Sequence, residues 1–102
     1  MAKINPQRLQ HTISSLKARF ETDAIISMND VAEMYVTGMF IVMGMGYDAF
    51  VSKCAAPEKF TVEELMQLSY VLDVKLELIL KVVVKQGKVN FKPKDISHFL
   101  IK

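Results

Sequence analysis

The sequence predicts an all-α fold of five to six short helices in a single domain. Three observations support this: helix-capping residues at Asn5-Pro6 and at Thr61, apolar residues that recur every three or four positions, and helix-ending residues such as Gly44 and Pro57. The 102 residues are 51% hydrophobic and 24% charged, a composition typical of a folded globular chain. A chain of this length forms one domain with a modest hydrophobic core.

The first helix is predicted from Pro6 to about Glu21. Asn5 has a side chain suited to capping a helix, and proline is favoured at the first helical position because its missing N–H has no helical acceptor there. Apolar residues then recur at spacings of four, three and four, at Leu9, Ile13, Leu16 and Phe20. Residues 1–26 are therefore interpreted as an amphipathic helix that packs on the core or on a partner.

Three short helices are predicted before Pro57. Ser27 and Asp30 resemble a capping box, in which two residues cap each other's backbone N–H groups at a helix start. The predicted helices run from about Met28 to Tyr35, from Thr37 or Gly38 to Gly44, and from Gly46 to Cys54. Gly44 is expected to take a positive φ in a tight turn, because glycine adopts this conformation without steric cost. Met45 and Phe50 are expected to anchor the following helix on the core.

Two longer helices and a short final one are predicted after Pro57. Thr61 and Glu64 form a clear capping box, and Leu65, Leu68 and Leu72 mark the apolar face of the helix they start. The next helix runs to about Gln86 and ends at Gly87. A β-hairpin that pairs residues 82–84 with residues 89–91 is an alternative, because the valine run also suits a strand. Pro93 and Asp95 are expected to open a short final helix.

The charges are distributed unevenly along the chain. The net charge of +2 is the sum of +2 over residues 1–26, −5 over residues 27–74 and +5 over residues 75–102. A basic surface formed by the two ends is one interpretation, and a lysine-rich tail that only promotes solubility is the other.

Several classes of site are not expected. Cys54 is the only cysteine, so an internal disulfide is excluded, and we interpret it as a core residue in a reducing cytoplasm. The two histidines, His11 and His98, lie near opposite ends of the sequence, which argues against a metal site or a catalytic thiol. The sequence therefore predicts no enzyme, cofactor or small-molecule substrate. No membrane span or secretory leader is expected either.

Part of the chain resembles the Cro/repressor (XRE-type) helix-turn-helix family. The residues that carry the resemblance lie between about 37 and 80: Gly44-Met45-Gly46-Tyr47-Asp48-Ala49-Phe50, Lys53, Pro57 to Leu65, Leu68, Leu72 and Val74. The resemblance implies a helix-turn-helix core over residues 27–86 and a basic C-terminal extension over residues 87–102. It also implies double-stranded DNA as the partner, with the helix after Gly46 lying in the major groove.

The resemblance assigns roles to individual residues of this chain. Tyr47, Asp48 and Ser52 would face base edges, while Lys53 and Lys59 would contact phosphates, together with some of the lysines Lys81, Lys85, Lys88, Lys92 and Lys94. The exposed positions lack the arginine and amide side chains that relatives usually carry there, so the recognition helix is degenerate.

The helix before the turn also departs from the family, because Met39 to Met43 are apolar on all sides. Such a helix must be covered, either by the N-terminal helix of the same chain or by a second subunit, and the surplus of apolar surface predicts a homodimer. The predicted interface residues are Leu9, Ile13, Leu16, Phe20, Met39, Ile41 and Val42. Two functions stay open: a DNA-binding transcriptional regulator, and a protein-interaction or self-association module that no longer binds DNA.

Overall fold

A computed structural model of the chain describes residues 3–100 and confirms the all-α prediction: within these residues there are six α-helices and no strands. The helices are α1 (Pro6–Glu21), α2 (Asn29–Met34), α3 (Val36–Val42), α4 (Tyr47–Ala55), α5 (Val62–Leu72) and α6 (Leu76–Gly87). Single 3-10 turns occur at Pro57–Lys59 and at Ser97–Phe99. No helix in residues 3–100 has the length and apolar composition needed to cross a bilayer.

Helix α1 begins and ends as its capping residues predict. The Asn5 side-chain oxygen accepts a hydrogen bond from the Arg8 N–H at 3.1 Å, and Pro6 occupies the first helical position. The apolar stripe packs on the chain's own core, with Leu16 and Phe20 almost fully buried. The α1 helix is therefore part of the body of the domain.

Helices α2 and α3 are separated by a single non-helical residue. Tyr35 has φ −159° and ψ 77°, which ends α2 and turns the chain into α3. Its hydroxyl accepts a hydrogen bond from the Asn5 N–H at 2.9 Å, and the Arg8 guanidinium lies 4.2 Å from its ring centroid. Tyr35 thereby fixes the start of α1 against the break between the two helices. Gly38 is required here, because an added Cβ would lie 2.6 Å from the Tyr35 ring.

The predicted capping box of α5 is present in full. The Thr61 hydroxyl accepts from the Glu64 N–H at 3.1 Å, and the Glu64 carboxylate accepts from the Thr61 N–H at 2.9 Å. By contrast, only half of the box at α2 forms: Asp30 accepts from the Ser27 N–H at 3.3 Å, whereas the Ser27 side chain makes no capping bond. Helix α5 ends at Asp73 in the left-handed conformation, with φ 53°.

The C-terminal quarter of the chain confirms the predicted helix up to Gly87 and differs from one expectation. The hairpin alternative is not formed, because residues 82–84 belong to α6, where Val82 and Val83 are buried. The final helix is shorter than expected: only the 3-10 turn Ser97–Phe99 forms, where the Asp95 carboxylate accepts from the Ser97 N–H. Residues 88–100, which we call the C-terminal arm, are exposed throughout.

One hydrophobic core unites the six helices. Its centre consists of fully buried side chains from all six of them: Leu16, Val31, Met39, Phe50, Leu68, Leu72 and Ile79. The arm lies outside this core, which gives the chain an elongated shape of 61 × 32 × 19 Å. Its radius of gyration is 15.8 Å, larger than the roughly 13 Å expected of a compact chain of about 100 residues.

Candidate functional site

The turn between α3 and α4 has the geometry that its glycines predict. Gly44 has φ 68°, which confirms the expected positive φ. The Met45 N–H donates to the Phe40 carbonyl at 3.0 Å, and this closes the end of α3. Gly46 then takes an extended conformation as the residue before α4, and its carbonyl accepts from the Phe50 N–H. The result is a pair of helices, α3 and α4, joined by a tight turn.

Helix α4 has a buried face and an exposed face. Phe50 and Cys54 are fully buried, so they hold the helix on the core. The three residues expected to face base edges, Tyr47, Asp48 and Ser52, are all exposed. The Tyr47 ring packs edge-on against the half-buried Phe40 ring of α3, with 6.0 Å between the ring centroids. This contact orients Tyr47 at the start of α4.

Lys53 is positioned differently from its expected role at phosphates. Its Nζ lies 2.7 and 2.8 Å from the two carboxylate oxygens of Glu64, and both side chains are about three-quarters buried. The hydrogen bond from Lys53, followed by that from the Thr61 backbone, lowers the pKa of Glu64. Lys53 therefore links the end of α4 to the start of α5, and its charge is compensated within the chain.

The segment that contains α3 and α4 consequently carries little positive charge. Over residues 27–56, Lys53 is the single basic side chain, opposed by three acidic ones, Asp30, Glu33 and Asp48. Phosphate contacts supply most of the affinity of proteins for DNA, and they require free cations. Any such cations must therefore come from other segments of the chain.

The exposed lysines that were expected to contact phosphates lie after α4. Lys59 is exposed in the 3-10 turn that follows this helix. The start of the arm lies beside the same turn: an added Cβ on Gly87 would be 3.6 Å from the Glu58 Cβ, and the Asn90 amide donates to the Glu58 carboxylate at 3.4 Å. The other expected phosphate contacts are also exposed, at Lys81, Lys85, Lys88, Lys92 and Lys94. Of these five, Lys81 is paired with Asp23, at 2.9 Å.

The residues expected at a dimer interface divide into two groups. Leu16, Phe20 and Met39 are at most 2% exposed within one chain, so a second copy cannot reach them. The other four, Leu9, Ile13, Ile41 and Val42, are half-buried. Leu9 also packs near Gly38, and an added Cβ on that glycine would lie 3.2 Å from the Leu9 side chain.

Three of the half-buried residues, Ile13, Ile41 and Val42, border an exposed face of α5. A shallow groove beside this helix is lined in part by Ile13, Val42, Gln67 and Tyr70. The Gln67 amide bridges the groove by donating to the Val42 carbonyl at 3.1 Å. We call the exposed residues of this helix the α5 face, which consists of Val62, Glu63, Met66, Gln67 and Tyr70.

Gln86 is a structural residue that the sequence analysis missed. Its amide donates to the Cys54 carbonyl at 3.0 Å and lies 3.4 Å from the Ala55 carbonyl, while its side-chain oxygen accepts from the Met28 N–H at 2.7 Å. It thus holds the start of α2, the end of α4 and the end of α6 together. No periodic pattern could reveal this, because its partners are backbone groups distant in sequence.

Cys54 lies within the core as expected. Burial raises the pKa of its thiol to about 12, so the thiol stays protonated near neutral pH. No group of three potential metal-ligating side chains occurs in the part of the chain that the structure describes.

No protein-family model matches the chain, and neither the curated proteins nor the solved structures include a match to it.

Proposed function

We propose that this protein binds double-stranded DNA as a helix-turn-helix transcriptional regulator, with α4 in the major groove. The observation that carries the proposal is the arrangement of α3, the Gly44 turn and α4, which presents Tyr47, Asp48 and Ser52 to solvent while Phe50 anchors the helix. A helix held in this way can enter the major groove with its exposed face towards the bases. The resemblance over residues 37–80 supports the same function.

The charge distribution defines how such a complex would form. Lys53 is compensated by Glu64, so phosphate contacts fall to Lys59 and to the arm lysines, Lys88, Lys92 and Lys94. The arm starts beside the turn that follows α4, so Lys88, at this start, lies on the side of the molecule where α4 ends. In such a complex, α4 contacts the bases, and the segments that follow it contact the phosphates.

A salt titration with mixed genomic DNA fragments tests the proposal. We expect binding at about 50 mM salt that weakens as salt rises, because each phosphate contact releases counterions. Replacing Lys88 and Lys92 by glutamine should reduce the slope of log affinity against log salt by about 1 per lysine. Lys75→Gln is the matched control, since Lys75 lies at the opposite end of α6. Absence of a complex at about 50 mM salt would overturn the proposal.

A homodimer is the second part of the proposal. The half-buried apolar residues Ile13, Ile41 and Val42 beside the α5 face support it, because two-fold symmetric dimers can bury such a surface on both copies. Ile41→Glu should dissociate the dimer in sedimentation experiments without loss of helical signal. Ile26→Glu is the control, since Ile26 is exposed away from this face. A wild-type monomer at high micromolar concentration would contradict the homodimer.

A protein-interaction module that no longer binds DNA is the second candidate. The Lys53–Glu64 pair favours it, because the pair removes the single cation of residues 27–56 from contact with phosphates. Dimer formation without DNA binding in low salt would select this candidate. With either function we place the protein in the cytoplasm, in agreement with its unpaired cysteine.

A further inference from the structure

We infer that the C-terminal arm of one copy docks on the α5 face of a second copy, and that two copies exchange arms reciprocally. This inference rests on the homodimer proposed above but not on DNA binding. It identifies the segment that covers the exposed apolar surface of each subunit.

The arm is rich in apolar side chains that its own chain leaves exposed. Their exposed fractions range from 55% for Ile96 to 84% for Val89, and the five side chains are Val89, Phe91, Ile96, Phe99 and Leu100. Isolated exposed apolar residues are common in proteins, but five within twelve consecutive residues are a concentration of exposed apolar side chains that a contact site would explain.

The start of the arm is held in a fixed direction. Successive turn hydrogen bonds from the N–H groups of residues 88–91 continue from the end of α6, and the Asn90 amide donates to Glu58. Pro93 restricts its own φ and favours an extended conformation at Lys92. The arm therefore projects away from the body of its own chain, in keeping with the long dimension of 61 Å.

The α5 face complements the arm in both polarity and charge. Val62, Met66 and Tyr70 are spaced four residues apart, so they form one apolar stripe, and their side chains are 69%, 56% and 81% exposed. The helix carries two glutamates and no basic residue. Glu63, unlike Glu64, has no ion-pair partner in residues 3–100.

The arm supplies the opposite charge. Lys88, Lys92 and Lys94 outweigh Asp95, which gives the arm a net charge of +2. Docking places one of these lysines near Glu63 and the apolar side chains on the α5 stripe, and the adjoining groove at Ile13 and Val42 extends the apolar surface. Complementary charge favours this pairing over contact between two basic arms.

Reciprocal exchange also increases the area of the interface. Stable interfaces bury about 800 Å² on each partner. When each copy donates one arm and receives one, every apolar side chain of the arm and of the α5 face contributes twice. A two-fold symmetric dimer results, in which both faces are covered and no arm is left free to recruit a third copy.

A mixing experiment tests the exchange on the full-length chain. One variant alters the arm, Phe91→Glu with Phe99→Glu, and a second alters the face, Met66→Glu with Tyr70→Glu. All four side chains are more than half exposed, so both variants should keep the helical circular dichroism signal of the wild type. Each alone should weaken dimerisation at least about tenfold in sedimentation velocity.

An equimolar mixture of the two variants should recover dimers. A mixed dimer keeps one intact pair, because the intact arm of the face variant can dock on the intact face of the arm variant. Recovery is not expected if each arm folds back on its own α5 face or binds a different protein. Failure to recover dimers would overturn the exchange, as would wild-type dimerisation of either variant.

The controls separate this inference from the proposed function. Ile26→Glu with Val84→Glu adds the same charge at exposed positions outside the arm and the α5 face, and it should leave dimerisation unchanged. A wild-type monomer would refute the homodimer itself, whereas dimers that need the arm but do not bind DNA would refute only the DNA-binding function.

Discussion

Residues 29–55 and the C-terminal arm differ in how they use their apolar and charged side chains. The first region, α2 to α4, is packed into the core and contains a single lysine, which is paired with Glu64. The arm is exposed and contains three lysines with no ion-pair partner in residues 3–100. The difference shows that the buried contacts that stabilise the fold and the exposed positive charges lie in separate segments. Substitutions should therefore affect folding in the first region and association in the second.

The largest expected effect comes from the buried phenylalanine of α4. Phe50→Ala removes a fully buried ring and should lower the free energy of unfolding by about 3–5 kcal/mol. Phe99→Ala, in the arm, should change it by less than about 0.5 kcal/mol in a monomeric sample, since that ring is 75% exposed. Urea unfolding at low protein concentration measures both. A loss above about 1 kcal/mol for Phe99→Ala would show that the arm packs on its own chain.

An intermediate effect is expected at Gln86 of α6, which bonds to backbone groups at both ends of the first region. Gln86→Ala removes the hydrogen bonds to the Met28 N–H and the Cys54 carbonyl, and it should lower the free energy of unfolding by about 1–3 kcal/mol. Lys85→Ala is the control, because that side chain is exposed on the same helix. If urea titrations showed the same loss of unfolding free energy for the two variants, Gln86 would stabilise the protein only through its helix propensity.

The turn before α4 provides a matched pair of glycines. Gly44→Ala forces a Cβ into the left-handed region and should cost about 1–2 kcal/mol of unfolding free energy. Gly46→Ala should cost less than about 0.5 kcal/mol, because Gly46 has φ −79° and no atom within 4 Å of an added Cβ. Thermal unfolding of the two variants compares them directly, and equal melting temperatures would contradict the turn geometry.

The smallest expected effect concerns the paired lysine. The pKa of Glu64 is lowered in the folded state, so its stabilising contribution is present above the carboxyl group's ordinary pKa and is lost as the pH falls through the lowered value. Glu64→Gln should therefore cost about 1 kcal/mol or less at pH 7, and the difference from wild type should shrink below about pH 4. Glu63→Gln is the control in the same helical turn. A cost for Glu64→Gln that is independent of pH would contradict the ion pair.

The sequence predicted the helices best where a local interaction defines them. The Asn5 cap and the Thr61–Glu64 box each depend on residues within three positions, and both form. The valine run of α6 was ambiguous because strands and helices both accept such residues, and burial of Val82 and Val83 in the core favours the helix. The final helix was overestimated, since no tertiary packing supports its residues.

The candidate site was less predictable because its electrostatics depend on tertiary contacts. Exposure of Tyr47, Asp48 and Ser52 follows from the helical period around the buried Phe50. The partner of Lys53, by contrast, lies eleven positions away on another helix, and no spacing rule connects them. The bridging role of Gln86 depends on partners 32 and 58 positions distant, so it needed the structure as well.

The unequal exposure of the three tyrosines gives the chain its own optical reporters. It contains no tryptophan, so tyrosine dominates its intrinsic fluorescence. Tyr35 is buried, whereas Tyr47 and Tyr70 are 53% and 81% exposed, one on α4 and the other on the α5 face. In a Tyr70→Phe variant, Tyr47 is the remaining exposed tyrosine, and added DNA should protect its fluorescence from acrylamide quenching. In a Tyr47→Phe variant, Tyr70 remains exposed, and a rise in protein concentration should protect its fluorescence instead. Two unlabelled tyrosine variants thus report separately on two different contacts.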